Sequence, residues 1–225
     1  MYVGWNMKTN LFTVTPSTSV FKAREIMDNH KISHLPVTDG KATLLGIVTD
    51  RDLKQAWASP ATTLSVHELT YVLQKLNVEN IMTRNVITAT PDMTIERAAH
   101  IIHDHKIGAL PVVDRGKLAG IITTTDLMEV LLQALGMSEG SKRFSILIRD
   151  RIGTLAEVGK LMQQAEINIR SIMTVPLKDH EDVWQLILRV NAGAYDQSVE
   201  VFQKAGFNVV TQYVEDLTPY LPREV

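Results

Sequence analysis

Met7 to Asp39 reads MKTNLFTVTPSTSVFKAREIMDNHKISHLPVTD, and Met82 to Asp114 reads MTRNVITATPDMTIERAAHIIHDHKIGALPVVD. The second stretch repeats the first at an offset of 75 residues, which drops to 74 where one residue is lost near Arg115. From Met7 to Leu53, about 20 of the 47 positions are identical in the two copies. A repeat of this kind constrains the fold more than any local propensity, because it calls for one supersecondary unit made twice. A unit of about 50 residues buries its apolar faces poorly alone, so the copies are expected to share one core about a pseudo-twofold axis.

Each copy carries the same local signals. A short extended piece, Phe12 to Thr15 or Ile87 to Thr90, ends at a Pro. Ser19 and Thr94 are good N-caps. The helices that follow place Val20, Ala23, Ile26 and Met27 on one face in the first copy, and Ile95, Ala98, Ile101 and Ile102 in the second. Strands are expected over His34 to Thr38 and Ala109 to Val113, then a Gly-containing turn, then strands over Leu44 to Val48 and Leu118 to Ile122. Each copy closes with a helix opened by Thr-x-x-Asp, in GIVTDRDL (Gly46 to Leu53) and GIITTTDL (Gly120 to Leu127). Between the copies, Ser65 to Glu68 is a capping-box pattern, and Leu69, Leu73 and Leu76 follow at helical spacing. A connecting helix is expected there, and His67 needs no chemical role.

The motifs KISHLPV and KIGALPV, followed in order by GIVTDRDL and GIITTTDL, make the repeat resemble a tandem pair of CBS domains, a Bateman module, over roughly Met7 to Leu132. Beyond the polar stretch MSEGSK (Met137 to Lys142) the pattern changes. RFSILIR (Arg143 to Arg149) alternates, with Phe144, Ile146 and Ile148 on one face. A turn over Asp150 to Gly153 leads to a helix presenting Leu155, Val158, Leu161 and Met162. Ile167 to Val175 reads as extended, KDHED (Lys178 to Asp182) as a hairpin loop, and Val183 to Val190 as a strand. A helix over Tyr195 to Ala205 stops at Gly206, and Val209 to Val214 closes a βαββαβ order of ferredoxin-like type. DRIGTLAEVGKLMQQAEINIRSI resembles an ACT domain, with Ile152 where Pro is common. The order CBS, CBS, ACT, together with TDRDLKQA, is similar to the acetoin utilisation regulatory protein family.

The expected class is therefore α/β (α+β). CBS unit 1 spans 1–57, a connecting helix 58–79 and CBS unit 2 80–136. A linker over 137–142, an ACT domain over 143–216 and a tail over 217–225 complete the 225 residues.

Composition removes several function classes. There is no Cys, which excludes disulfides, thiolate metal sites and Cys nucleophiles. Net charge is −2 with no basic stripe, so a nucleic-acid partner is not expected. No apolar run approaches the length of a membrane span, and MYVGWNMKTN lacks the apolar region of a signal peptide, so the reading is cytoplasmic with no membrane partner. No Gly-x-Ser-x-Gly, Walker A or His-Glu-x-x-His motif is present, so no catalytic residue is assigned. His30, His34, His100, His103 and His105 gather around the repeats. His30 and His105 are one position in two copies, however, and His100 and His103 lie on the outer side of a helix, so no metal site is assigned.

Thr49-x-x-Asp52 and Thr123-x-x-Asp126 carry the functional question. The spacing is a capping box, and Ser65-x-x-Glu68 and Thr154-x-x-Glu157 match it too. A helix N-terminus also attracts phosphate, and an Asp can accept the protons of ribose hydroxyls. The CBS resemblance implies that the Asp holds ribose, that the Thr sits near phosphate, and that the base lies against the preceding strand. This points to Thr49, Asp52, His34, Leu35 and Pro36 in the first copy, and to Thr123, Asp126, Ala109, Leu110 and Pro111 in the second. Arg51, a strong phosphate partner, is matched by Thr125, and His34 by Ala109, so the two sites are expected to be unequal. The ACT resemblance implies amino-acid binding near Gly153, Leu155, Asn168 and Ile169, or dimerisation through an outer strand. The alternative is that the Gly serves only the turn geometry.

The resulting expectation is a cytoplasmic, non-catalytic regulator, homodimeric, with an adenine nucleotide as regulatory ligand and no obligatory cofactor. An amino acid is a further candidate effector, and a regulated enzyme or transcription factor of acetoin or related carbon metabolism the expected partner. The competing reading is a dimerisation scaffold that binds no ligand.

Overall fold

The computed structural model describes residues 1–58, 71, 74–178 and 180–222. The connecting helix expected over 58–79 falls mostly on 59–70, 72 and 73, outside the described residues. The chain divides into two compact units, Met1–Met128 and Glu129–Val225.

In the first unit the repeat becomes two near-identical substructures. The first holds helix α2 (Val20–His30), the antiparallel hairpin β1 (His34–Thr38) and β2 (Leu44–Thr49), and helix α3 (Asp50–Ala58). The second holds α4 (Ile95–His105), β3 (Ala109–Asp114), β4 (Lys117–Thr123) and the start of α5 (Thr124–Ala134), a helix that runs across the boundary at Met128. Ser19 caps α2 by accepting from the Lys22 N–H at 3.1 Å, and Thr94 caps α4 from the Arg97 N–H at 3.2 Å. Both helices stop at a Lys in the left-handed region, Lys31 and Lys106, each at φ 52°. The extended pieces expected before each Pro pair through single parallel bridges, Val14 with Val37 and Ala89 with Val112.

The repeat extends further upstream than its identities show. Helix α1 (Val3–Asn6) corresponds to the 3-10 turn Val78–Asn80, at the same offset of 75. Each of these lead-in segments packs against the other copy. The Val3 N–H donates to the Met93 carbonyl at 2.8 Å, and the Val78 N–H to the Thr18 carbonyl at 2.8 Å. Lys8 pairs with Ile121 on β4, and Thr83 with Ile47 on β2. The first core thus joins Val14, Val20, Ala23, Met27, Leu35, Val37, Val48 and Leu53 to Val78 and Met82 from the second lead-in. Gly46 and Gly120 make the pairing possible. A Cβ on Gly46 would meet Met82 Sδ at 2.7 Å and the Thr83 carbonyl at 2.9 Å, and one on Gly120 would meet Met7 and Lys8.

The second unit contains β5 (Ser141–Arg149), α6 (Thr154–Gln164), β6 (Ile169–Leu177), β7 (His180–Asn191), α7 (Tyr195–Lys204) and β8 (Val209–Val210). The sheet order is β6-β7-β5-β8, all antiparallel. Phe144, Ile146 and Ile148 join Leu186, Leu188, Val158, Met162 and Phe202 in its core. Several details differ from the sequence reading. Ser145 and Leu147, on the other face of β5, are also buried, because β5 is a central strand. The hairpin loop is shorter than KDHED, since His180 to Asp182 already belong to β7. The closing strand is only Val209–Val210, and the Asn208 amide donates to the Leu221 carbonyl at 3.3 Å as the chain turns back. The expected linker is partly structured: Ser141 and Lys142 begin β5, and the Arg170 guanidinium donates to the Ser138 hydroxyl at 2.8 Å.

Candidate functional site

At the end of β2 the chain enters α3 through Thr49, and the capping box is fully formed. Asp52 Oδ2 accepts the Thr49 hydroxyl at 2.7 Å and the Thr49 N–H at 2.8 Å, while the Asp52 N–H donates back to Thr49 Oγ1 at 3.3 Å. The second copy repeats this geometry. Asp126 Oδ2 accepts the Thr123 hydroxyl at 2.6 Å and N–H at 2.8 Å, and the Asp126 N–H returns to Thr123 Oγ1 at 3.3 Å. One carboxylate oxygen of each Asp is therefore committed to capping, and the other remains for a further donor.

The copies part at that second oxygen. Asp126 Oδ1 is held by the Lys8 ammonium at 2.8 Å, and its side chain is only 7% exposed. Burial pushes the Asp126 carboxyl up, but Lys8 and the Thr123 donors outweigh it and hold it below its ordinary value. Asp52 Oδ1 has no protein partner among the described residues, because the position matching Lys8 is Thr83.

A cavity of about 1000 Å³ opens at the first copy's box. Thr49, Arg51, Asp52 and His34 line it from one copy, and Ile87, Lys106 and Ala109 from the other. The cleft is thus composite. Ala109, grouped by sequence with Thr123 and Asp126, lies instead with Thr49 and Asp52. Leu35 and Leu110 are fully buried in the cores, Pro36 and Pro111 are buried beside them, and none of the four lines this cleft. Thr123 and Asp126 lie outside it as well.

The electrostatics favour an anion near an acceptor. Arg51 is exposed at the cleft. Lys54 reaches Asp50 at 2.6 Å, and Arg24 reaches the same carboxylate at 2.9 Å, so Asp50 is neutralised and held below its ordinary value, chiefly by the Lys54 hydrogen bond. His34 is pushed down by burial, which outweighs the attraction of Asp52, and stays neutral at neutral pH. Its imidazole fits because its neighbour across the copies is Gly108, where a Cβ would meet His34 Nε2 at 2.7 Å. The sequence suggested Lys106 as positive charge near a phosphate, and it lines the cleft; Lys8, Thr83 and Gly108 carried no such signal alone, although aligning the copies exposes the Lys8/Thr83 and Ser33/Gly108 differences.

His34 and His105 both line the cleft, but among the described residues the other histidines lie apart from it. His30 stacks on Phe12 with centroids 3.7 Å apart, His103 contacts Asp104, and His100 is exposed. Among the described residues no group of three or more His, Asp or Glu could hold a metal ion, and no helix is long and apolar enough to cross a membrane.

In the second unit Gly153 sits at φ 93° before α6, Leu155 and Asn168 are exposed, and Ile169 is half-buried at the start of β6. A cavity of about 520 Å³ lies nearby, lined by residues that include Arg151, Thr154, Glu157, Phe207 and Asn208, and none of those four faces it.

Two α/β units that exchange their lead-in segments and share a composite cleft define the class: a paired module of the CBS type. The chain belongs to the CBS-domain family, whose sequence model matches residues 3–59 and 78–133. It is 33% identical over 130 residues to a CBS domain-containing protein of Dictyostelium discoideum, covering 57% of this chain and 90% of that protein. It is 34% identical over 126 residues to inosine-5'-monophosphate dehydrogenase of Staphylococcus haemolyticus, covering 55% of this chain but only 23% of the enzyme. Among solved structures, CBSX2 of Arabidopsis thaliana in complex with AMP is 34% identical at a TM-score of 0.50, over 59% of this chain and 96% of that one. A Vibrio cholerae candidate acetoin utilization protein (AcuB) is 28% identical at 0.51, over 59% and 91%. The CBS pair of protein MJ0100, in complex with 5'-methylthioadenosine and S-adenosyl-L-methionine, is 30% identical at 0.50, over 58% and 95%.

Proposed function

We propose that this protein is a cytoplasmic regulator that senses an adenine nucleotide, or a related adenosyl ligand, in the cleft between its two CBS units. The observation that carries this reading is the uncommitted Asp52 Oδ1, poised at a helix N-terminus beside Arg51 in a cavity of about 1000 Å³. That oxygen is available to a ribose hydroxyl, and Arg51 with Lys106 offers charge to phosphate. His34 and Ala109, both in the cavity lining, would contact the base. The AMP complex of CBSX2 and the adenosyl complex of MJ0100 support the ligand class. Ligand would act by favouring one packing of the two units over another.

The C-terminal unit is proposed to be an ACT domain, on its βαββαβ order and the turn at Gly153. It would dimerise the chain and take an amino acid near Gly153, Leu155, Asn168 and Ile169. The regulated partner is proposed to be an enzyme or transcription factor of acetoin or related carbon metabolism, on the likeness to the AcuB structure.

Isothermal titration with AMP, ADP, ATP and S-adenosylmethionine tests the central claim. Binding is expected in the wild type, with a loss of roughly tenfold or more in Asp52→Ala, the cost of a hydrogen bond to a charged group. No binding, with no thermal shift from any of these ligands, would favour a scaffold instead.

A further inference from the structure

We propose that Lys8 is the residue that makes the two CBS sites unequal, by occupying in advance the carboxylate oxygen that a ligand would need at the second Thr-x-x-Asp. This rests on the adenine-nucleotide reading and adds to it the device that sets stoichiometry.

The two lead-in segments dock identically. The Lys8 N–H donates to the Ile121 carbonyl at 2.9 Å and the Ile121 N–H returns at 3.0 Å; Thr83 and Ile47 exchange the same two bonds at 2.9 and 3.0 Å. Positions 8 and 83 therefore launch their side chains from equivalent points toward equivalent carboxylates. Lys8 is long enough to reach Asp126 Oδ1, and Thr83 is too short to do the same to Asp52.

In the second copy each carboxylate oxygen already holds a donor. Oδ2 holds the two Thr123 donors and Oδ1 the ammonium. A ribose hydroxyl would have to share Oδ1 with a charged donor or displace it, a weaker attraction at a carboxylate that is almost buried. In the first copy the same hydroxyl meets an oxygen with no partner among the described residues. The Arg51/Thr125 difference bears on phosphate, whereas the Lys8/Thr83 difference bears on the ribose-type acceptor, so the two effects are separable.

The test exchanges the residue between copies. AMP and ATP are titrated into the full chain as wild type, Lys8→Thr, Lys8→Met and Thr83→Lys, with melting curves to establish that each is folded. Lys8→Met keeps the aliphatic length and removes only the charge. The expected result is one binding event per chain in the wild type and a second event in both Lys8 variants, with the first unchanged. Thr83→Lys should weaken the first event by about tenfold or more, as loss of the Asp52 acceptor would. Two equal events in the wild type would overturn the inference and leave the nucleotide reading intact. So would Lys8 variants that gain nothing, or a Thr83→Lys protein that binds as the wild type does. A second wild-type event abolished by Lys8→Met would make Lys8 a ligand contact, not a block, and would also overturn it. A wild type that binds neither AMP nor ATP while S-adenosylmethionine binds moves all four titrations to that ligand, with the same outcomes. Absence of binding to all three overturns both readings.

Discussion

Asp52 and Asp126 stand at the same place in two copies of one unit, cap their helices identically and differ in what holds the remaining oxygen. Capping and ligand binding are therefore compatible uses of one carboxylate, because it has more acceptor directions than a cap consumes. His34 is the other residue whose role depends on its opposite number. Half-buried against Gly108, it titrates below its ordinary value through desolvation, whereas in the unfolded chain it protonates near pH 6.5. The unfolded state thus binds more protons just below that pH, and acidification removes stability as pH falls through about 6.5. Replacing His34 by Ala, the residue of the second copy, should flatten this slope. Urea unfolding at about pH 7.5 and 5.5 measures it, and equal losses in wild type and variant would reject the assignment. The neutral histidine could not be read from sequence, since its burial comes from residues 74 positions away.

At the scale of elements, local chemistry carried most of the outcome. Ser19 and Thr94 cap the helices that their positions suggest, and the apolar spacing of α2 and α4 matches the buried faces, with Ile26 and Ile101 only half-buried at their margins. The βαββαβ order of the second unit was legible for the same reason. What local pattern missed is lateral: β5 is buried on both faces and β8 ends after two residues, and both depend on neighbouring strands and the returning chain. The glycines of the hairpins belong to this lateral class. Gly46→Ala places a methyl group against the Thr83 backbone and Met82, so a loss of about 1–3 kcal/mol is expected from forced overpacking. Ala at the half-buried Gly159, in the interior of α6 and with open space where a Cβ would sit, should by contrast be neutral or stabilising, since helical Gly costs about 1 kcal/mol relative to Ala. Chemical denaturation of the two variants compares them directly.

At the scale of the molecule, the two CBS units are interlocked by exchange. Val3 is fully buried yet completes the second copy, and Val78, equally buried, completes the first. Val3→Ala should cost roughly 2 kcal/mol and speed amide exchange chiefly in 95–123, and Val78→Ala chiefly in 20–49. The opposite pattern would mean that each copy is closed by its own lead-in. Exchange also makes the cleft composite, which is why Ala109 lies with Thr49 and Asp52 and why a site assembled copy by copy from the sequence was regrouped. The repeat, the element types, the caps and the Thr-x-x-Asp boxes followed from residues within a few positions of one another, where helical period and hydrogen-bond reach are set by the chain itself. Which lead-in closes which unit, which residues share the cleft and which of two identical carboxylates keeps an oxygen uncommitted were decided only by tertiary contacts. The reason is physical: packing brings one long ammonium or one short hydroxyl to the same spot from more than a hundred or only some thirty residues away, and no local pattern records that meeting.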